Sequence, residues 1–445
     1  MARIARRSFI KLGGAAAGTV VGATQFGSQG SGALAAPAGL VDRPAELPKP
    51  KGPRVVVVGG GWAGLTMAKY LRKENPDFDV VLLERRAMFM SCPISNLWLA
   101  GLVDLEFITH SYLDAARNNG YLFLNASMAD LDRETRRVYT DQGHLDYDFL
   151  VLAPGIDYNY KAIGVDDIEA EFALRQNFPA GFMPGSEHLS IRAKLEDFEE
   201  GIFLLTVPAG NYRCLPGPYE RACLVAHYFK REGIPGKVVL LDANPDVTIK
   251  RNAFHEAFET LYKDVLEYKP SFEITAVDPF KKVVSSDFED IEFADAAIYP
   301  RVRAAKLIEW LGLADPKSPQ YEAHIDVFFN NIVGDPRVYV VGDARPMPFS
   351  KSGNTANSEA KIIAKVIAAR AAGKEPEKWV SPHTVCYSVV NGDPVEAVMV
   401  DAHYKFDEAT KQFAFDRVKL VEERSTALGK ATFEWAEGLY RDMFS

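Results

Sequence analysis

The sequence is poor in sulfur: 445 residues hold four cysteines, and none of them stands in a CxxCH motif. A covalently attached c-type haem is thereby excluded from this chain. No apolar run approaches the roughly 20 residues that a membrane-spanning helix needs, and there is neither an internal repeat nor a low-complexity tract. Basic charge is also in short supply. Lys and Arg number 51 against 60 Asp and Glu, for a net charge of −9. So acidic a chain does not suit nucleic acid and matches a basic or dipolar protein partner better.

The few basic residues near the start are placed with purpose. "RIARRSFIKLGGAAAGTVVGATQF" sets Arg6 and Arg7 before Ser8 and Phe9, followed by a weakly apolar Gly/Ala-rich run and then Ala33-Leu34-Ala35. This pattern predicts a twin-arginine export signal over residues 1–35 and a periplasmic location for the remainder. Residues 36–52, rich in proline, read as a linker. The leader carries four of the 51 basic residues and no acid, so the exported chain has a net charge of −13. The twin-arginine route carries folded proteins, which fits a tightly held organic cofactor inserted before export.

The chain beyond the linker is too long for one core and implies two or three domains. "RVVVVGGGWAGLTMAKYLRKENPDFDVVLLERR" runs a buried strand into Gly59-x-Gly61-x-x-Gly64, an amphipathic helix, and a second strand ending in Glu84. The glycines permit a tight turn, close approach of backbone to a pyrophosphate and helix-to-strand packing, and Glu84 is spaced for ribose hydroxyls. Two later strands, in "HLDYDFLVLAPGIDYNY" (144–160) and "RVYVVGDARPM" (337–347), close on Ala-Pro-Gly and on Gly342-Asp343. This ordered set resembles the two-dinucleotide-fold flavoproteins. The resemblance implies FAD, with Asp343 on the ribityl chain and the helix of "SGNTANSEAKIIAKVIAARAAG" turning its positive N-terminus towards the flavin.

Flavoproteins of that kind carry a second glycine nest for NAD(P)H. Here the middle strand "GIFLLTVPAG" is followed by "NYRCLPGPYERACLVAHYFKREG", with a cysteine and prolines in place of glycines. Hydride delivery from a nicotinamide nucleotide is not expected. Cys214 precedes Pro218, a favourable first helical residue, and a thiol near a helix N-terminus has a lowered pKa. Glu220 in the first turn reads either as an acid/base partner or as a helix-dipole carboxylate. Cys223, within the helical pattern, reads as a core thiol. Four cysteines allow three complete pairings, and spacing does not choose among them.

"SCPISN", "RCLPGPYERA", "KSGNTANSEAK" and "TVCYSVV" occur in the order seen in the flavoprotein subunits of flavocytochrome c sulfide dehydrogenases, relatives of the sulfide:quinone oxidoreductases, and the sequence resembles them from about residue 53 onward. The resemblance implies that Cys92 carries the FAD covalently. It implies that Cys214 and Cys386 form a redox-active disulfide with Glu220 as acid/base, that sulfide is the substrate, and that a c-type cytochrome subunit takes the electrons in a heterodimer. Trp435 resembles a tryptophan lying between flavin and haem, and reads equally as an interface aromatic.

The expected fold is α/β with two Rossmann-like dinucleotide domains. The FAD domain is split over 53–160 and 300–374 around an NAD-like domain at 161–299 that lacks a nucleotide nest, and 375–445 forms a flavin and partner interface. Two other functions compete, a membrane-associated sulfide:quinone oxidoreductase and a non-catalytic electron-relay flavoprotein. The second of these has no need for both Cys214 and Cys386.

Overall fold

The strand Arg54–Val58 sets the architecture, because its alternate residues feed two different cores. Val55 and Val57 face a large core that also receives the helix Trp62–Glu74. Val56 and Val58 face a second core built with Leu150, Leu152 and Val340. A strand buried on both faces belongs in a parallel sheet covered on each side, and the continuous apolar run RVVVV is the mark of one. The sheet has the order Val338–Val340, Phe149–Leu152, Arg54–Val58, Asp79–Glu84, Leu122–Asn125, and every pairing in it is parallel.

In this computed structural model, which describes residues 43–346, 349–378 and 381–445, a second parallel sheet has the order Leu266–Lys269, Gly236–Asp242, Gly201–Val207, Asp295–Ala297. The helix Gly217–Glu232 returns the chain from Gly201–Val207 to Gly236–Asp242 in the usual strand–helix–strand manner. The α/β fold with two Rossmann-like sheets is thus the one expected from the sequence. A three-stranded antiparallel meander, His383–Gly392, Val395–Asp407 and Gln412–Ser425, then leads into the C-terminal helix Thr426–Phe444. Among the described residues no helix is long and apolar enough to cross a membrane.

The expected leader over 1–35 lies outside the described residues. The expected linker is not uniformly loose. His144 donates its amide to Arg43 O at 2.9 Å and its carbonyl accepts from Ala45 N at 2.9 Å, so residues 43–45 lie along the strand Gly143–Asp146. Ala45 and Leu47 also pack on the second core. The two apolar side chains among the prolines account for the docking.

Candidate active site

The glycine loop fixes one end of the site. A side chain on Gly64 would meet Gly59 O at 1.7 Å, so the helix sits hard against the loop, whereas the space beside Gly61 is open. Gly59 itself has φ +102°, and a Cβ there would strike Ala153 O at 2.3 Å. Glu84 Oε2 accepts from Gly60 N at 2.6 Å and Oε1 from Arg86 N at 2.9 Å, which orders both sides of the nest.

The turn after Val338–Val340 carries Asp343 and is held by two buried ion pairs. Glu359, on the helix Gly353–Ala371, accepts from Gly342 N at 2.8 Å and pairs with Arg345 at 2.7 Å. Lys351 pairs with Glu322 at 2.6 Å and donates to Asp343 O at 2.8 Å. The Asp343 carboxylate accepts from Arg213 Nε at 2.5 Å, an arginine that belongs to none of the glycine or aspartate motifs.

The sulfur end gathers residues from across the chain. Cys214 has φ +60°, and its amide donates to Lys351 O at 2.8 Å, which ties it to the start of the helix Gly353–Ala371. Gly217 leaves room for its sulfur, because a Cβ there would lie 2.9 Å from Cys214 Sγ. Cys386 arrives on the strand His383–Gly392 and lies in hydrogen-bond contact with Cys214. The four cysteines are free thiols. The helix starts at Gly217, which puts Pro218 one residue inside it.

The expectation that Cys214 holds the lowered thiol is overturned. The hydrogen bond between the two sulfurs keeps the proton on Cys214, and burial pushes its pKa up further. The same bond, helped by Lys250 and Ser388 against the opposing effect of burial, draws Cys386 down to about 6. A donated S–H bond and a nearby ammonium group outweigh the partial charge of the helix terminus.

Glu220 Oε2 accepts from Asn96 Nδ2 at 2.7 Å and Oε1 from Val389 N at 2.7 Å. Burial raises its pKa to about 7, against those two hydrogen bonds. Asn96 also accepts from Arg221 Nε at 3.0 Å, and Arg221 donates to Ala180 O and Gly181 O. The short segment after Cys92 is thereby locked to the helix that carries Glu220. Cys92 is partly buried, and desolvation raises its thiol while Arg213 and Arg221 pull the other way. Cys223 is fully buried, as a core thiol should be.

One cavity of about 490 Å³ runs between these ends, and all the expected site residues except Gly64 line it. Trp435 reaches it from the C-terminal helix, 6.0 Å from the ring of Tyr387. The buried indole nitrogens of Trp62 and Trp435, both on the lining, have no hydrogen-bond partner among the described residues. A long cavity with an open glycine nest, an acid beside it and unpartnered donors along it fits a dinucleotide cofactor. Asn96, Arg213 and Arg221 stand within the segments SCPISN and RCLPGPYERA but were not singled out, because the cysteines and Glu220 beside them carried the chemistry, and Lys250 lies in no motif.

Comparison with known proteins agrees. The profile of the sulfide dehydrogenase [flavocytochrome c] flavoprotein chain, central, matches residues 189–299, and that of the pyridine nucleotide-disulphide oxidoreductases matches 53–176. A sulfide dehydrogenase [flavocytochrome c] flavoprotein chain of Chlorobaculum thiosulfatiphilum is 56% identical over 43 residues, which are 90% of its sequence and 10% of this chain. The chain belongs to the sulfide dehydrogenase flavoprotein family. It is also 22% identical to the mitochondrial sulfide:quinone oxidoreductase of Mus musculus over 380 residues, covering 82% of this chain and 81% of that protein. The fold matches the sulfide:quinone oxidoreductase structure from Aquifex aeolicus with a TM-score of 0.72 at 17% identity, over 88% of this chain and 91% of that one. Family membership makes the protein a flavin-dependent oxidoreductase of the sulfide-oxidising group.

Proposed function

We propose that this protein is a periplasmic sulfide dehydrogenase that passes electrons to a c-type cytochrome subunit. The contact between Cys214 and Cys386 inside a cavity suited to FAD carries this reading. Gly59, Gly61 and Glu84 hold the dinucleotide end, Asp343 the ribityl chain, and Cys92 secures the flavin covalently. FAD bound here accepts electrons in pairs and releases them singly. In the oxidised protein Cys214 and Cys386 are joined. Hydrosulfide attacks one sulfur, a new S–S bond forms as the old one breaks, and the products are a persulfide on one cysteine and a thiolate on the other. A second hydrosulfide removes the sulfane sulfur. Glu220, with its pKa near neutrality, takes and returns the proton that this exchange moves.

A nicotinamide donor has little room. The crevice at the end of the second sheet, among Val207, Pro208, Ala243 and Tyr299, measures about 20 Å³. The rival reading, a sulfide:quinone oxidoreductase, is favoured by the similarity to the mouse enzyme along 82% of the chain. Anaerobic sulfide should bleach the oxidised flavin band while NADH leaves it unchanged, and Cys214→Ser and Cys386→Ser should each abolish bleaching with flavin retained. Rapid bleaching by NADH, or unimpaired bleaching in either serine variant, would overturn the proposal.

A further inference from the structure

Lys250 has no place in any motif, yet its side chain is buried at the sulfur pair. It is 1% exposed and sits in a left-handed turn, φ +55°. Its ammonium group donates to Cys386 O at 2.9 Å and Ser388 Oγ at 2.8 Å, and lies 4.0 Å from Cys386 Sγ. No carboxylate shares a hydrogen bond with it among the described residues, although Glu220 lies close enough to interact electrostatically. A buried cation normally carries a charged partner. The sulfur of Cys386 is the group placed to be that partner.

We propose that Lys250 is a positioning residue for the cysteine pair, fixing the ionised sulfur on Cys386 and leaving the proton on Cys214. The inference rests on the reading of this pair as redox-active. Reduction breaks the disulfide with two electrons, supplied by sulfide, and takes up one proton. Cys214 receives the proton and Cys386 keeps a negative charge against Lys250. The groups facing Cys386 are Lys250, Ser388, Cys214 and Glu220, together with the Tyr387 carbonyl at 3.5 Å. Only that carbonyl and the Glu220 carboxylate favour a protonated sulfur, and burial acts in the same sense. Without the lysine, desolvation would carry the Cys386 thiol upward. The charge also has a counterpart in the oxidised protein. Loss of the thiolate removes the repulsion that helps keep Glu220 protonated, so the carboxylate becomes the anion nearest Lys250.

The test is the pH dependence of iodoacetamide labelling of Cys386 in the reduced holoprotein, read peptide by peptide between pH 5 and 9. The wild type should show a midpoint near pH 6 for Cys386 and little labelling of Cys214. Lys250→Met should slow Cys386 labelling at pH 7 by roughly tenfold or more, and Lys250→Arg should restore it. Lys250→Gln keeps donors for the Cys386 carbonyl and the Ser388 hydroxyl but no charge. It must shift the midpoint as Lys250→Met does. An unchanged midpoint in either neutral variant overturns the proposal. Labelling needs neither sulfide turnover nor an acceptor, so failure of the sulfide reading would register separately.

A second, independent observation lies outside the cavity. On the antiparallel pair His383–Gly392 and Val395–Asp407, His383 stands directly opposite His403, and Asp401 is two residues along on the same face. His383 Nε2 lies 2.7 Å and His403 Nε2 3.9 Å from the same oxygen, Asp401 Oδ1, and the rings stack at 4.5 Å. One ligand atom from each of the three lies within 4.8 Å of the others, and all three residues are partly exposed. We infer a surface site for a divalent transition metal, zinc or copper, with two imidazoles and a carboxylate as ligands and water completing the shell.

Tag-free holoprotein, stripped with EDTA and with its thiols blocked, should bind one Cu²⁺ with nitrogen hyperfine structure in its electron paramagnetic resonance spectrum. Titration should show affinity at least about tenfold weaker in His403→Ala and in His383→Ala. Absence of binding, or equal binding by the double variant, would overturn the site.

Discussion

Cys92 and Glu220 show how burial assigns roles to single residues. Cys92 is partly buried with its thiol disfavoured as an anion, so it is unsuited to exchange chemistry and suited to a permanent bond. Flavin should therefore stay on the polypeptide through a denaturing gel and become extractable in Cys92→Ala. Complete release from the wild type would exclude the covalent link. Glu220 offers a test in stability. Its folded-state pKa, about 7, lies above the ordinary 4.5, so the native state holds the proton more tightly than the unfolded chain. That contribution is complete below pH 4.5 and is lost as pH rises through 7. Glu220→Gln cannot titrate. Between pH 5 and 8 its stability should gain on the wild type by up to about 3 kcal/mol, measured by thermal melts across the range. A difference that does not change with pH would show that burial does not hold the proton there.

The elements around the cavity differ in how openly the sequence announces them. RVVVV and DVVLLE are short apolar runs on either side of the glycine nest and its helix, the pattern of strands in a parallel sheet covered on both faces. The nest, Glu84 and Asp343 were legible for the same local reason. The approach of Cys386 to Cys214 was legible only through family resemblance, since it depends on a meander docking onto a distant helix. Lys250 was not legible at all. It stands 136 residues from the carbonyl that it binds, in a turn with no periodic pattern. The buried pair of Lys351 with Glu322 is equally hidden, though it clamps the Asp343 turn and, through Lys351 O, the amide of Cys214. Glu322→Ala leaves an uncompensated buried ammonium. It should cost about 3–5 kcal/mol in urea unfolding and loosen both flavin and thiol geometry. A loss below about 1 kcal/mol would mean that the pair behaves as a surface contact.

At the scale of the whole molecule, the proposed reaction requires that electrons entering at the thiols leave through a surface. The C-terminal helix sets Thr432 and Trp435 on the cavity and buries Ala436, Tyr440 and Met443 in the core, with its Leu428, Phe433 and Leu439 partly buried against that core. A chain of net charge −9, or −13 once the expected leader is removed, attracts a basic partner over roughly 8–10 Å at ordinary salt. If that partner is a c-type cytochrome, sulfide-dependent haem reduction should be fast at low ionic strength. It should slow by roughly tenfold or more on going to 0.5 M salt, while sulfide bleaching of the flavin, which needs no encounter between proteins, stays nearly constant. Trp435→Leu should slow haem reduction and spare bleaching. Quinones are uncharged, so a quinone-linked enzyme would show little salt dependence with its own acceptor. Efficient quinone reduction without any cytochrome reduction would replace the cytochrome reading with the sulfide:quinone one.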